Sequence, residues 1–187
     1  MKTKIFLSFL FWLLIFGAHA QSTFEKKHAL HVAYLGEMLT HPGISFGYEK
    51  YLTEDEKFQI FVRPTVAFYH HYRNNNTFML TLESGFRRNF RSGLFLEQSL
   101  GIGYFHRVVH GDGQFYVAEN GTIIEKGSLG VSFLPFLANV GIGYHFQSKK
   151  AQISPFVRPN FYWKMPFNET PNMQLAIMLG LIYRIKN

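Results

Sequence analysis

The chain has no cysteine among its 187 residues, which removes disulfide frameworks and zinc-thiolate centres from consideration. Charged side chains make up only 17% of it, and acidic ones are scarcer than basic ones, 12 Asp+Glu against 19 Lys+Arg. No basic run longer than pairs such as Lys149-Lys150 is present to track a phosphate backbone, so the formal charge of +7 does not point to nucleic acid. Long hydrophobic runs are missing beyond the first twenty residues, so no segment offers the ~20 apolar residues of a spanning helix. Aromatic residues, in contrast, are abundant: 21 Phe and 10 Tyr in a chain that is 47% hydrophobic. That excludes intrinsic disorder, and the length suits one domain.

The first twenty residues have the form of an export signal. Lys2 and Lys4 precede an apolar run from Ile5 to Phe16, and Ala18-His19-Ala20 is an A-x-A-like cleavage site. Residues 1–20 are therefore expected to be a cleaved signal peptide and residues 21–187 a single mature domain. Position 21 is Gln, so lipoprotein processing has no acceptor thiol.

In the mature chain apolar residues recur with a period of two, over segments of ten or more residues separated by polar turns. From Met173 to Ile185 every odd position is apolar, while Gln174, Gly180 and Arg184 fall on the other face. Phe58, Ile60, Val62, Pro64, Val66 and Phe68 likewise oppose Gln59, Arg63, Thr65, Tyr69 and His71. Eight strands are expected, at 28–38, 42–53, 57–72, 76–90, 93–110, 128–147, 152–167 and 172–186. In the sixth, the apolar phase passes from Leu129, Val131 and Phe133 to Val140, Ile142 and Tyr144. A β-bulge at Pro135 is expected to produce that switch.

The charged face decides between a soluble sandwich and a membrane barrel. With an export signal and strands of spanning length, about 9–11 residues, the apolar face is expected to meet lipid and the charged face to line a lumen. Aromatic side chains support this by gathering at two rims. Tyr48, Phe58, Phe90, Tyr144, Phe146 and Tyr183 lie at one, and Phe68, Tyr72, Phe78, Trp163 and Phe167 at the other, as bilayer interfaces select. Glycines in LGIGY (100–104) and VGIGY (140–144) are expected to face inward and relieve crowding. The expected architecture is all-β: an eight-stranded antiparallel up-and-down transmembrane β-barrel.

Connections around Glu54-Asp55-Glu56, Arg91-Ser92-Gly93 and Ser148-Lys149-Lys150 are short and polar, as periplasmic turns are. The long connection, 111–127, contains QFYVAE-NG-TIIEK. Its Asn120-Gly121 suits a two-residue type I′ turn, so a protruding external hairpin is expected, carrying Gln114, Phe115, Tyr116, Asn120, Gly121, Ile123 and Ile124. It is the best candidate for contacting a partner, with an ordinary mobile loop as the alternative.

In this pattern residues 27–187 resemble the small OmpA- and OmpX-type outer-membrane barrels, and in particular the uncharacterised Bacteroidota outer-membrane β-barrel family. Gly180, Tyr183 and Ile185 match the spacing of the C-terminal signal read by barrel-assembly machinery. Met178, and the ending Lys186-Asn187, depart from it. The resemblance implies a place in the outer membrane of a Gram-negative bacterium, with outer-membrane lipid and lipopolysaccharide around it and the assembly machinery as a partner during biogenesis. An internal echo, FVRPTVAFY (61–69) and FVRPNFYW (156–163), sets two similar strands four apart.

The lumen is expected to hold a ladder of Glu49, Arg63, Glu83, Arg87, Glu97, Arg107, Arg158 and Arg184. Strand pairing centred near residues 74 and 91 would bring Glu83 and Glu97 close to Arg63 and Arg87. Eight strands give a bore just wide enough for side chains to fill, so a plug is expected over a solute path or ligand pocket.

No cofactor or metal is expected. His106 and His110 stand roughly 13 Å apart along a strand, and His70 and His71 point to opposite faces. Lipid A deacylase barrels place Ser, His and an acid on the outer rim. Here the H-x-S pattern is absent, and the Ser residues are expected inward or well down the wall. An omptin-like protease needs a wider barrel. The sequence reading is therefore a non-enzymatic barrel with a structural or protein-interaction role, including that of accessory subunit of a larger outer-membrane assembly. The alternatives are a small-solute channel or carrier and a lipid A-modifying hydrolase.

Overall fold

Residues 28–53, 55, 57–72, 75–109, 114–117, 120–121, 123–126, 130–146, 153–165 and 173–185 are described by the structure, a computed structural model; at 114–117, 123–126, 164 and 165 the description is of the backbone. The expected signal peptide, Phe167 and His110 lie outside the described residues.

Among the described residues, alternating side chains on extended backbone produce ten strands. They are β1 (His28–Glu37), β2 (His41–Tyr51), β3 (Phe58–His71), β4 (Asn75–Asn89), β5 (Leu94–Val109), β6 (Gln114–Val117), β7 (Ile123–Lys126), β8 (Val131–Tyr144), β9 (Ile153–Met165) and β10 (Met173–Ile185). Eight of them close a barrel in the order β1-β10-β9-β8-β5-β4-β3-β2, and β6 and β7 pair separately. Every pairing is antiparallel. The fold is the expected eight-stranded up-and-down barrel with an additional hairpin. The strands end within one to three residues of the expected bounds.

Closure requires the first and last strands to pair, and they do along their length, from His28 opposite Ile185 to Glu37 opposite Ala176. No edge is left open among these eight strands. The outward side chains are apolar: Leu82, Leu100, Ile102, Val140 and Leu179 are all exposed, Ile102 at 64%. In water that face would be a large uncompensated apolar surface; against hydrocarbon it is the ordinary exterior of a spanning barrel.

One expectation fails in β8. The register against β5 stays constant, from Leu94 opposite Tyr144 to Arg107 opposite Val131, and the register against β9 is equally constant. No bulge is inserted at Pro135, and the phase does not switch. Phe133 faces inward, against the core, as do Leu137 and Asn139. At this end the interior is itself aromatic, with Phe105 and Tyr162 in edge contact 5.4 Å apart. Hydrophobicity there no longer distinguishes lipid from lumen.

Proline leaves a different mark. Pairing lapses between Gly47–Thr65 and Lys50–Val62, between Ile102–Phe136 and Phe105–Phe133, and between Asn139–Asn160 and Ile142–Val157. The skipped positions contain Pro64, Pro135 and Pro159, each of which lacks the N–H its neighbour would accept. The ladder is interrupted, and the register survives.

Because the natural chain has no cysteine, the closure can be tested cleanly. Val32 and Leu181 are direct cross-strand partners, so their Cβ atoms should stand about 4.5–5.5 Å apart. Oxidation of V32C/L181C should give a cross-linked chain of altered mobility on boiled, non-reducing gels. V32C/I177C, four residues out of register or roughly 13 Å, should give none. Efficient cross-linking of the offset pair would mean a different register.

Candidate functional site

Inward positions place six ionised side chains from five walls at the centre of the bore. Glu49 comes from β2, Arg63 from β3, Glu83 and Arg87 from β4, Glu97 from β5 and Arg158 from β9. All six are buried. Arg63 and Glu83 are direct strand partners, as are Arg87 and Glu97, because the pairings centre on residues 73 and 92, each one residue from the expected centres. Arg63 donates to Glu49 (2.9 Å), Glu83 (3.2 Å) and Glu97 (3.1 Å). Arg87 donates through Nε to Glu97 and through Nη2 to Glu49, both at 2.9 Å. Arg158 donates through Nε to Glu97 at 2.6 Å. Glu97 thus accepts from all three arginines.

Neutral groups complete the network. Tyr51 donates to Glu49 at 2.8 Å and accepts from Arg87 at 2.5 Å, while Ser99 and Asn139 donate to Glu83 at 2.9 and 2.7 Å. Three positive and three negative charges sum to zero, which a low-dielectric interior demands. Aromatic faces supply a second contact for each cation. Arg63 lies 4.3 Å from the Phe61 ring centroid, Arg158 4.4 Å from Phe156 and Arg87 4.7 Å from Phe95.

The two FVRP segments now have a common role. β3 and β9 are diametrically opposed, with three strands between them either way round. Each delivers a Phe and an Arg inward, two residues apart. Glycine makes the room: a Cβ at Gly141 would meet Glu97 Cγ at 2.8 Å, and one at Gly101 would meet Glu83 Cγ at 2.8 Å. One inward glycine from each of LGIGY and VGIGY thus serves the charge cluster directly. Tyr51, Ser99, Asn139 and the three Phe rings were not among the expected site residues, although strand parity alone assigns each of them to the lumen.

Two of the expected ladder members lie elsewhere. Arg107 sits toward the end that carries β6 and β7, with its guanidinium 5.2 Å from the Phe133 ring. Arg184 lies at the opposite end, donating to Gln59 Oε1 at 3.4 Å and to His145 Nε2 at 2.8 Å. Burial and the neighbouring Arg184 push the His145 imidazole down to about 3. The neutral ring can therefore accept from Arg184 through Nε2 while Nδ1–H donates to Ser154 Oγ at 2.6 Å. The charges form a compact central cluster with one arginine at each end, not a continuous ladder, because only these six central positions on five strands converge.

In the hairpin, Gln114 opposes Lys126 and Val117 opposes Ile123. That register centres on Asn120 and leaves an odd number of residues in the loop, which excludes the two-residue type I′ turn. Gly121, at φ 79°, supplies the left-handed residue that odd-length hairpin loops use. Phe115, Tyr116, Ile123 and Ile124 lie on its two short strands. Gly180, Tyr183 and Ile185 lie on β10, against β1.

The outer wall holds an arrangement not expected from sequence. With no phase switch in β8, Ser132 faces outward. Its Oγ lies 3.1 Å from His106 Nδ1 and 2.7 Å from Tyr104 OH, all on exposed surface. His70 is bonded to Asn76 Oδ1 at 2.6 Å, and His71 packs against His41 with tilted rings. Among the described residues no group of three or more His, Asp or Glu side chains is arranged to hold a metal ion.

No protein-family model matches the chain, and no curated protein sequence does. Solved structures do. The chain is similar to the outer membrane enzyme PagL, with a TM-score of 0.54, 16% identity, and coverage of 84% of this chain and 99% of that one. It is also similar to Ail, the attachment invasion locus protein of Yersinia pestis, with a TM-score of 0.51, 10% identity, and coverage of 86% and 99%. At these identities the likeness is one of fold. The fold class is that of a small eight-stranded transmembrane β-barrel of the outer-membrane kind.

The network predicts unequal costs for its acids. Glu97→Gln removes the charge shared by three arginines and should destabilise the barrel by about 3–5 kcal/mol, the range for breaking a buried ion pair. Glu83→Gln, whose carboxylate meets one arginine and is also held by Ser99 and Asn139, should cost less. Urea midpoints of the refolded barrel in lipid vesicles measure both. Equal midpoints would show that Glu97 is not the hub.

Proposed function

We propose that this protein is an integral outer-membrane barrel of a Gram-negative bacterium that works through its surfaces and not through its bore. Its role on this reading is structural or protein-interacting, as an accessory subunit of a larger outer-membrane assembly. The observation that carries the reading is the central cluster of three arginines and three glutamates, which fills the bore with buried, mutually paired side chains. An ion entering from either side would have to break several charge-assisted bonds at once. The surface added to the barrel is the β6–β7 hairpin, whose strands pair apart from the other eight, at the end opposite the short turns, which is the external end if the N-terminus is periplasmic.

Two measurements test this reading. The purified barrel in planar bilayers should show no steady conductance, and reversing Arg63 or Glu83 should have no wild-type current to abolish. A steady current that changes with either reversal would establish the channel alternative. Deleting residues 114–126 should leave heat-modifiable mobility intact and abolish co-purification of an outer-membrane partner. Unchanged co-purification would move the contact to the wall or another loop.

Ser132, His106 and Tyr104 favour a second reading, ester hydrolysis at the outer rim. A hydroxyl bonded to an imidazole on the lipid-facing wall has the first two parts of an activated nucleophile, and a barrel of similar fold, PagL, is an outer membrane enzyme. On this reading a fluorophosphonate probe labels the wild-type barrel and neither S132A nor H106A. Absence of labelling in the wild type returns the trio to the role of interfacial aromatics and their polar partners.

A further inference from the structure

The end of the barrel that carries β6 and β7 is not filled as the centre is. A cavity of about 190 Å³ opens there, lined among others by Glu37, His41, Tyr69, His71, Arg107 and Gln174. A water molecule's share of liquid volume is about 30 Å³, so this space accommodates a small organic molecule. Its charges are set apart by the topology. Glu37 is on β1 and Arg107 on β5, with three strands between them in either direction round the barrel. One wall therefore presents a carboxylate and the facing wall a guanidinium.

Two polar atoms at this cavity are buried without a hydrogen-bond partner, the donor Arg107 Nε and the acceptor Gln174 Oε1. A buried group left unsatisfied is costly, and such groups call for a partner. One of these requires an acceptor and the other a donor. The Glu37 carboxylate is held in place by His41, the next residue round the wall, which is its direct strand partner. His41 in turn packs against His71, with ring centroids 3.7 Å apart and planes tilted by 33°. The acid is thus positioned and backed by an aromatic pair.

We propose that this mouth binds a small zwitterion of the free amino-acid class, its carboxylate on Arg107 and its ammonium toward Glu37 and Gln174. A simple anion would satisfy Arg107 while facing the Glu37 carboxylate, and a simple cation would do the reverse. Only a ligand carrying both charges meets both walls. Tyr69 and the paired imidazoles leave space beside the charges for a short side chain. This inference does not depend on the role of the hairpin or on what the outer wall does.

Isothermal titration of the intact mature barrel in detergent tests it, with glycine, L-serine and L-glutamine as probes and with acetate and ethylammonium as probes carrying one charge each. At least one zwitterion should bind saturably, and acetate and ethylammonium should bind about tenfold or more weakly. R107Q and E37Q should each weaken the zwitterion by about tenfold or more, as expected for loss of a charged hydrogen bond. R107K, which keeps the charge, should retain part of the affinity. Unaltered heat-modifiable mobility shows that each variant is folded. If no zwitterion binds at millimolar concentration, the cavity holds only water and the proposal fails. It fails equally if acetate matches the zwitterions, or if folded R107Q and E37Q bind as the wild type does.

Discussion

Burying three arginines and three glutamates together is the constraint on which the rest of this barrel depends. None of the six charges is tolerable alone in the bore. Each is held by the others, and removal of one leaves its partners without counter-charge. The cluster spans β2, β3, β4, β5 and β9, so it exists only when strands distant in sequence are correctly paired. Shifting one strand by a single residue would turn its charged member toward lipid and an apolar neighbour toward the arginines. Buried ion pairs are often no more stabilising than well-packed apolar groups. Their contribution here is best understood as specification of register in a sheet whose largely apolar exterior specifies little.

Other features follow from making that cluster fit. Three guanidinium planes need neutral faces beside them, and Phe61, Phe95 and Phe156 provide these. The carboxylates of Glu83 and Glu97 extend across the neighbouring strands, and Gly101 and Gly141 leave the space they occupy. The F-x-R spacing on β3 and β9 places ring and guanidinium on the same face, one pleat apart. The prolines that follow Arg63 and Arg158 point outward and cost each strand a rung of its ladder. The barrel tolerates those interruptions because the charges on either side hold the register without the missing hydrogen bonds.

The parts of this architecture that could be read from sequence are those in which one property marks one face. Over most of β3, β4, β5 and β10 the polar residues look inward and the apolar ones outward, so a period of two indicates the strand bounds, the barrel class and the closeness of Glu83 and Glu97 to Arg63 and Arg87. The same rule failed in β8. Near the β6–β7 end the lumen is lined by Phe105, Phe133 and Tyr162, and the outer face carries Ser132 and His106. There the usual polarity is inverted, which made a register shift look necessary and set Ser132 on the wrong side. The hairpin was recognisable from Asn120-Gly121, but its turn type depends on pairing register, which a dipeptide does not fix. The separation of Arg107 and Arg184 from the central cluster was equally illegible, because parity gives the face of a residue and not its height along the axis.

Height along the axis is what separates closed from open in this molecule. At the short-turn end Gln59, Asn89, His145, Ser154 and Arg184 are linked into one hydrogen-bonded layer. Above it come the neutral ion cluster and then an apolar layer that includes Leu35, Met79, Phe105 and Leu137. Beyond that layer a cavity and unpartnered polar atoms occur together. A bore filled at one end and through its middle fits the proposed reading of a barrel that works through its surfaces. Such a barrel can still offer a shaped, charged recess on the other side, held rigid by everything beneath it. The plug and the recess are therefore complementary consequences of one design: the charges that close the bore also fix the walls on which Glu37 and Arg107 face each other.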